Sequence, residues 1–273
     1  MAEKIICVVG PTACGKTKLG VLLAKRYDGE VVSADSMQIY KGMTIGTAAP
    51  TAEEMEGVPH HMIAVADPAE QWSAARYARA AVPIVDDILR RGKRPILVGG
   101  TGLWLDAVVQ GRTFAGGHAG GAVRRELQAQ LAREGIGPLL EELRQVDPEA
   151  AERLHPADEK RILRALEVYR ETGKTISAHN AETRDLPPRY DAVWIGLQFE
   201  ERAEMKALID RRVDAMVEEG LLGEVMGLLK SGLSRDATAL QAIGYKEFLG
   251  VAEGTATVDQ AVAEVKLRSR QYA

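Results

Sequence analysis

Apolar residues in the first hundred positions fall in short unbroken runs separated by helical spacings. Ile5–Val9 and Pro95–Val98 show no polar alternation, which is the pattern of strands covered on both faces. Val31-Val32 is a shorter run of the same kind, ending at Ser33-Ala34-Asp35. Between the runs, Lys18 to Tyr27 carries Leu19, Leu22, Leu23 and Ala24 at helical spacing. Ser73 can cap a long helix reaching Arg91, with Pro83 expected to bend it. Strand and helix thus alternate, and this order predicts a parallel sheet with helices on both faces. Residues 124–169 differ: Leu and Ala recur at helical spacing throughout, with breaks near Gly135–Pro138 and Pro148. Ala192–Phe199 reads as a further buried strand, and helical spacing resumes after it.

Two breaks divide the chain. Phe114–Gly121 is a glycine-rich joint, and Asp185-Leu186-Pro187-Pro188 reads as a return linker. With Gly10 to Thr17 matching G-x-x-x-x-G-K-[ST] between the first strand and helix, the expected architecture is α/β: a P-loop NTPase-like parallel sheet flanked by helices, spanning residues 1–117 and 189–273, with a small helical insertion domain at 118–188. A single domain with a helical flank is the competing arrangement.

Composition excludes several classes. Of 273 residues, 46% are hydrophobic and 27% charged, as in ordinary soluble globular proteins. No apolar run is long enough to span a bilayer, and Glu3 and Lys4 precede only a short strand, so neither a membrane segment nor a signal peptide is expected. The two cysteines, Cys7 and Cys14, form no Cys-x-x-Cys pair, which argues against zinc or disulfides and for a reducing cytoplasm. A net charge of −4 argues against a basic nucleic-acid coat but not against a local basic groove.

The sharpest chemical signal is Gly10, Pro11, Thr12, Ala13, Cys14, Gly15, Lys16 and Thr17, which match G-x-x-x-x-G-K-[ST] at every fixed position. A strand precedes the run and a helix follows it, the context this motif needs. Glycines let backbone N–H groups turn around phosphate oxygens, and the helix start adds partial positive charge. Lys16 supplies an ammonium, and the Thr17 hydroxyl is suited to Mg2+. A chance glycine turn would not have both flanks in agreement.

Asp35 and Thr101 also fall just past strand ends, on the edge where parallel sheets bind ligands. An ATP hydrolase usually places an acid at the tip of an apolar strand to hold its metal. Val98-Gly99-Gly100-Thr101 has none, whereas Asp35 follows the second strand. This layout suits an enzyme that holds a phosphorylated substrate and applies Asp35 to the acceptor. A small-molecule kinase shares the loop and the sheet. Alternatively, Asp35 is a turn acid and Thr101 caps a helix from Leu103. His60-His61, on an irregular segment after Pro59, reads as structural.

The blocks at 10–17, 35–40 (Asp-Ser-Met-Gln-Ile-Tyr), 42–47, 59–63, 99–103, 161–168 and 242–247 resemble the tRNA dimethylallyltransferase family, in order along nearly the whole chain. The resemblance implies transfer of a dimethylallyl group from dimethylallyl diphosphate to N6 of adenosine 37 in tRNA. It implies that Gly10 to Thr17 and Arg212 hold the diphosphate, with Mg2+ on Thr17. It implies that Asp35 accepts the amine proton, that Lys16 and Thr101 assist, and that Asp35, Ser36, Met37, Gln38 and Thr101 meet the tRNA. Ser36 and Gln38 are then placed to read the adenine edge. Arg124, Lys160, Arg161 and Arg164 of the insertion would contact the anticodon stem-loop, in a monomeric cytoplasmic enzyme. The family usually has Ser at Cys14, Lys at Ala49, Arg at Leu208 and Tyr at Trp104, so a weaker diphosphate clamp is expected. The family pattern also has a basic, aromatic tail past the position of Ala273 that adds to the tRNA grip.

Overall fold

The computed structural model describes residues 4–111, 121–184 and 186–273. Its strands are β1 (Lys4–Val9), β2 (Gly29–Ser33), β3 (His60–His61), β4 (Arg94–Val98) and β5 (Asp191–Gly196). All pair in parallel, in the order β3-β2-β4-β1-β5. The first four helices are α1 (Lys16–Arg26), α2 (Ala52–Met55), α3 (Ala74–Arg90) and α4 (Gly102–Val109). The unbroken apolar runs are the inner strands, and alternate side chains serve opposite faces. Val8, Val31, Ile96 and Val98 pack with Val21 and Ala24 of α1. Their neighbours Cys7, Val32 and Leu97 are fully buried on the other face, where α3 packs on β2 and β4. Each large side chain so buried stabilises the fold by roughly 1.5–3 kcal/mol. Helix α3 starts as expected: Ser73 Oγ accepts from Arg76 N at 3.2 Å, and Pro83 lies inside the helix.

The chain divides into two compact units, Met1–Gly111 with Pro188–Ala273, and Arg112–Pro187. The described residues of the second unit form α5 (Ala122–Glu134), α6 (Ile136–Val146), α7 (Pro148–Arg153), α8 (Glu159–Thr172) and α9 (Ile176–Arg184). It has its own core, in which Leu127, Leu139, Leu143, Ile162 and Leu166 are fully buried. Asp147 ties two helix starts together: Oδ1 accepts from Ala150 N and Oδ2 from Ser177 N, both at 3.1 Å. The glycine-rich joint lies outside the described residues apart from Gly121, as does Asp185 of the return linker. The first unit resumes with β5, then α10 (Arg202–Glu218), α11 (Leu221–Lys230), α12 (Lys246–Ala252) and α13 (Val258–Tyr272). Among the described residues, no helix is long and apolar enough to cross a membrane.

Two expectations are corrected. His60 and His61 are not on an irregular segment but form β3, paired with Val31 and Val32. His61 Nε2 meets Glu30 Oε2 at 2.8 Å, and His60 Nδ1 meets the Val58 carbonyl at 2.8 Å, so both rings serve the fold. The run from Ala192 is a strand, but not a buried one. It pairs only with β1 among the described residues, leaving Val193 51% and Trp194 43% exposed.

Candidate active site

The site grows from the carboxyl ends of β1, β2 and β4. Gly99 N donates to Val8 O at 3.2 Å, Ala34 N to Val98 O at 2.8 Å and Thr101 N to Ala34 O at 3.3 Å. These bonds lash the three strand ends together. Gly99 permits the approach: a Cβ there would lie 2.2 Å from Ala34 O. The loops that follow therefore emerge side by side.

Between β1 and α1, Ala13 takes a left-handed φ of 63°, a strained conformation for a residue with a Cβ. No side chain caps the first turn of α1, so its amide donors remain available to an anion. Lys16 Nζ folds back onto Gly10 O at 2.9 Å and Pro11 O at 2.6 Å. Burial lowers the Lys16 pKa below the usual lysine value, with Arg212 pushing the same way and Asp35 opposing. Burial also lowers the Arg212 pKa, again against the pull of Asp35; its Nη2 reaches Thr47 O at 3.4 Å. Both cations are thus desolvated and rest on neutral carbonyls, a state that an incoming anion relieves.

Asp35 divides its two oxygens. Oδ1 accepts from Met37 N at 2.9 Å and Gln38 N at 3.3 Å, closing a turn. Oδ2 has no hydrogen bond to protein among the described residues. Thr101 occupies the cap position of α4, yet its side chain does not cap the helix. Instead Oγ1 accepts from Ser36 N at 3.1 Å and donates to Ser36 Oγ at 3.3 Å. Capping is lost because the lashed strand ends bring the Ser36 amide within reach. Gln38 also departs from expectation. Its Oε1 accepts from Ser33 Oγ at 3.0 Å, and Nε2 donates to Ala48 O at 3.2 Å and Thr47 O at 3.4 Å. Both ends of the amide foreseen at a base edge are occupied by protein.

A cavity of about 920 Å³ joins these groups, lined by the whole 10–18 loop, Asp35 to Gln38, Gly46 to Ala48, Thr101 and Arg212. The lining also includes the apolar Ile209, Val213 and Met216 of α10, Ile243, and Val265 of α13. The expected residues of the first unit are therefore gathered at one place. Those of the second unit are arranged otherwise. Arg164 Nη1 lies 2.8 Å, and Arg124 Nη1 3.7 Å, from Oε2 of Glu167, whose side chain is only 4% exposed. Arg161 pairs with Asp158 at 3.2 Å and is 73% exposed; Lys160 is exposed.

A family profile described as IPP transferase matches residues 38–273. The chain belongs to the IPP transferase family. A family member from Caldanaerobacter subterraneus, named tRNA dimethylallyltransferase, is 46% identical over 100% of this chain and 87% of its own length. A tRNA dimethylallyltransferase from Halalkalibacterium halodurans is also 46% identical, over 100% of this chain and 86% of its own. Among solved structures, the full-length tRNA isopentenylpyrophosphate transferase of Bacillus halodurans superposes with a TM-score of 0.72 at 44% identity, covering 99% of this chain and 84% of that one. A eukaryotic dimethylallyltransferase acting on tRNA gives 0.84 at 30% identity, covering 100% and 68%.

Within this family fold, sequence reading missed the apolar wall. Ile209, Val213 and Met216 recur at helical spacing, and all are buried. That spacing signals a buried helical face; it does not distinguish a face set against other helices from one that looks into a cavity.

Proposed function

We propose that this chain transfers a dimethylallyl group from dimethylallyl diphosphate to N6 of adenosine 37 in tRNA and releases diphosphate. One observation carries the reading: a single cavity is lined by an uncapped amide loop, two desolvated cations, a carboxylate with a free oxygen and apolar side chains of α10. The diphosphate lies against the loop amides, and Lys16 leaves its two carbonyls to meet it, joined by Arg212. The five-carbon tail lies along Ile209, Val213 and Met216, which exclude water from the reacting carbon. The C–O bond to diphosphate breaks, leaving cationic character on the allylic carbon, and the C–N6 bond forms. Asp35 Oδ2 takes the proton that N6 loses. Thr101 and Ser36, already bonded to each other, present hydroxyls at the junction of the two substrates.

Mg2+ suits this donor set, because it takes few protein oxygens and completes its shell with phosphate and water. Thr17 Oγ1 has no hydrogen bond among the described residues, and Thr17 lines the cavity, so it is the residue to hold the ion. When bound, Mg2+ neutralises charge on the departing diphosphate. The target base must leave its stack to enter the cavity. Lys160 and Arg161 of the helical unit, both exposed, suit anticodon stem-loop phosphates. One copy carries the complete cavity, which fits a monomer, and free Cys7 and Cys14 fit a reducing cytoplasm.

Mass spectrometry of tRNA nucleosides tests the reading after incubation with dimethylallyl diphosphate and Mg2+. N6-dimethylallyladenosine at position 37 is the expected product. Unmodified tRNA beside a folded protein, or phosphate transfer from ATP, overturns it.

A further inference from the structure

One carboxylate behind the cavity has an unusually complete set of partners. Glu224 of α11 does not line the cavity, yet it holds the segment that does. Its Oε2 accepts from Thr44 N at 2.8 Å, Thr44 Oγ1 at 3.0 Å and Ile45 N at 2.9 Å. Its Oε1 accepts from Gly46 N at 3.1 Å and Tyr245 OH at 2.5 Å. Three successive loop amides thus point at one side chain. Burial alone would raise the Glu224 carboxyl, but the bonds from Tyr245 and from the Ile45, Gly46 and Thr44 amides outweigh it and hold the pKa below the ordinary glutamate value. Tyr245 itself is fully buried and packs so closely on Gly46 that a Cβ there would lie 2.5 Å from the ring.

The held segment continues directly into the site. Thr47 O and Ala48 O receive the Gln38 amide, and Thr47 O also receives Arg212. The Gln38 backbone N–H in turn donates to Asp35 Oδ1. A chain of hydrogen bonds therefore runs from Glu224 through residues 44–48 to Gln38 and ends on the carboxylate assigned to proton transfer. The amide loop at 10–17 lies outside this chain except through Arg212.

We propose that Glu224, supported by Tyr245, is a positioning residue for prenyl transfer, setting residues 44–48 and through Gln38 the aim of Asp35. This rests on the reaction proposed above. The consequence is a split between chemistry and diphosphate binding. Glu224→Gln preserves size but places an amide –NH2 where the carboxylate accepts from backbone N–H groups, so the loop must shift. A small displacement of a reacting group costs on the order of 10- to 100-fold in rate.

The test uses the full chain and compares wild type with Glu224→Gln and Tyr245→Phe. The measured quantities are kcat with tRNA, Kd for inorganic diphosphate by calorimetry, and Tm. Expected for Glu224→Gln is a kcat lower by about 10- to 100-fold with a diphosphate Kd changed by less than about threefold. Tyr245→Phe removes a single donor and should lower kcat by about 3- to 10-fold. Adding Gln38→Ala to Glu224→Gln should cost far less than Gln38→Ala costs alone, because both act through one chain of bonds. Unchanged kcat per folded molecule, parallel loss of kcat and diphosphate binding, or strict additivity with Gln38→Ala overturns the assignment. If Glu224→Gln does not fold, Tyr245→Phe decides by the same split. An active wild type matched by its variants removes only this assignment; a folded but inactive wild type removes the proposed reaction and this assignment with it.

Discussion

Charged side chains meet opposite fates in the cavity of the sheet unit and in the helical unit. In the cavity Lys16, Arg212 and Asp35 influence one another electrostatically, yet none of the three forms an ion pair among the described residues. The two cations rest on carbonyls and the carboxylate on amides. In the helical unit Arg124 and Arg164 converge on Glu167, Arg161 meets Asp158, and Arg170 meets Glu142. A charge held by neutral dipoles can be exchanged for a ligand's charge. A charge held by a buried counter-ion, as at Glu167, has already spent its attraction on the fold, whereas the exposed Arg161–Asp158 pair costs little to open.

Four substitutions can break this contrast, the largest effect first. Asp35→Ala should lower kcat by about 10²- to 10⁴-fold, the usual contribution of a positioned base, while tRNA binding holds; ordinary turnover would remove Asp35 from the chemistry. Lys16→Ala should weaken inorganic diphosphate binding by about 10- to 100-fold, from the loss of a charge-assisted contact of roughly 1.5–3 kcal/mol. Its Tm should not fall, since a desolvated cation is lost; a clear drop in Tm would show that Lys16 stabilises the fold after all.

Glu167→Ala should do the reverse. It leaves two arginines beside a vacated, buried position and should cost about 1–3 kcal/mol, less than a fully buried pair because both guanidinium groups reach solvent. Diphosphate Kd should stay at the wild-type value, and thermal unfolding beside calorimetry checks both points. Arg161→Ala is the mildest. A solvent-facing phosphate contact should raise the KM for tRNA only about 2- to 5-fold and make its salt dependence shallower. No change in salt slope would place the tRNA elsewhere.

These contrasts track what was legible beforehand. The 10–17 loop could be read because its chemistry is local: glycines, a lysine and a helix start lie within eight consecutive residues. The position of Asp35 and Thr101 beside that loop could be read because both follow strand ends on one edge of a parallel sheet. The occupied amide of Gln38 was not legible because a free amide and an occupied one look alike along the chain; its partners lie five, nine and ten residues away, in a strand end and in a loop with no periodicity. Arg164 was grouped with Lys160 and Arg161, and Arg124 stood apart from them along the chain; only packing shows Glu167 drawing Arg164 and Arg124 together. The strand after Ala192 was apolar enough for an interior position, but its place at the sheet edge depends on strand order, which no local run encodes.

Hydrophobic spacing and the glycine-lysine loop were sufficient on their own for a parallel α/β sheet with a glycine-lysine turn between its first strand and helix. Strand order, the cavity wall of α10 and α13, and the bonds from Glu224 to Asp35 belong to the tertiary structure. Side-chain periodicity reports that a residue is covered; which distant group covers it, and whether a charge is left free or neutralised, is settled only when the segments meet in space.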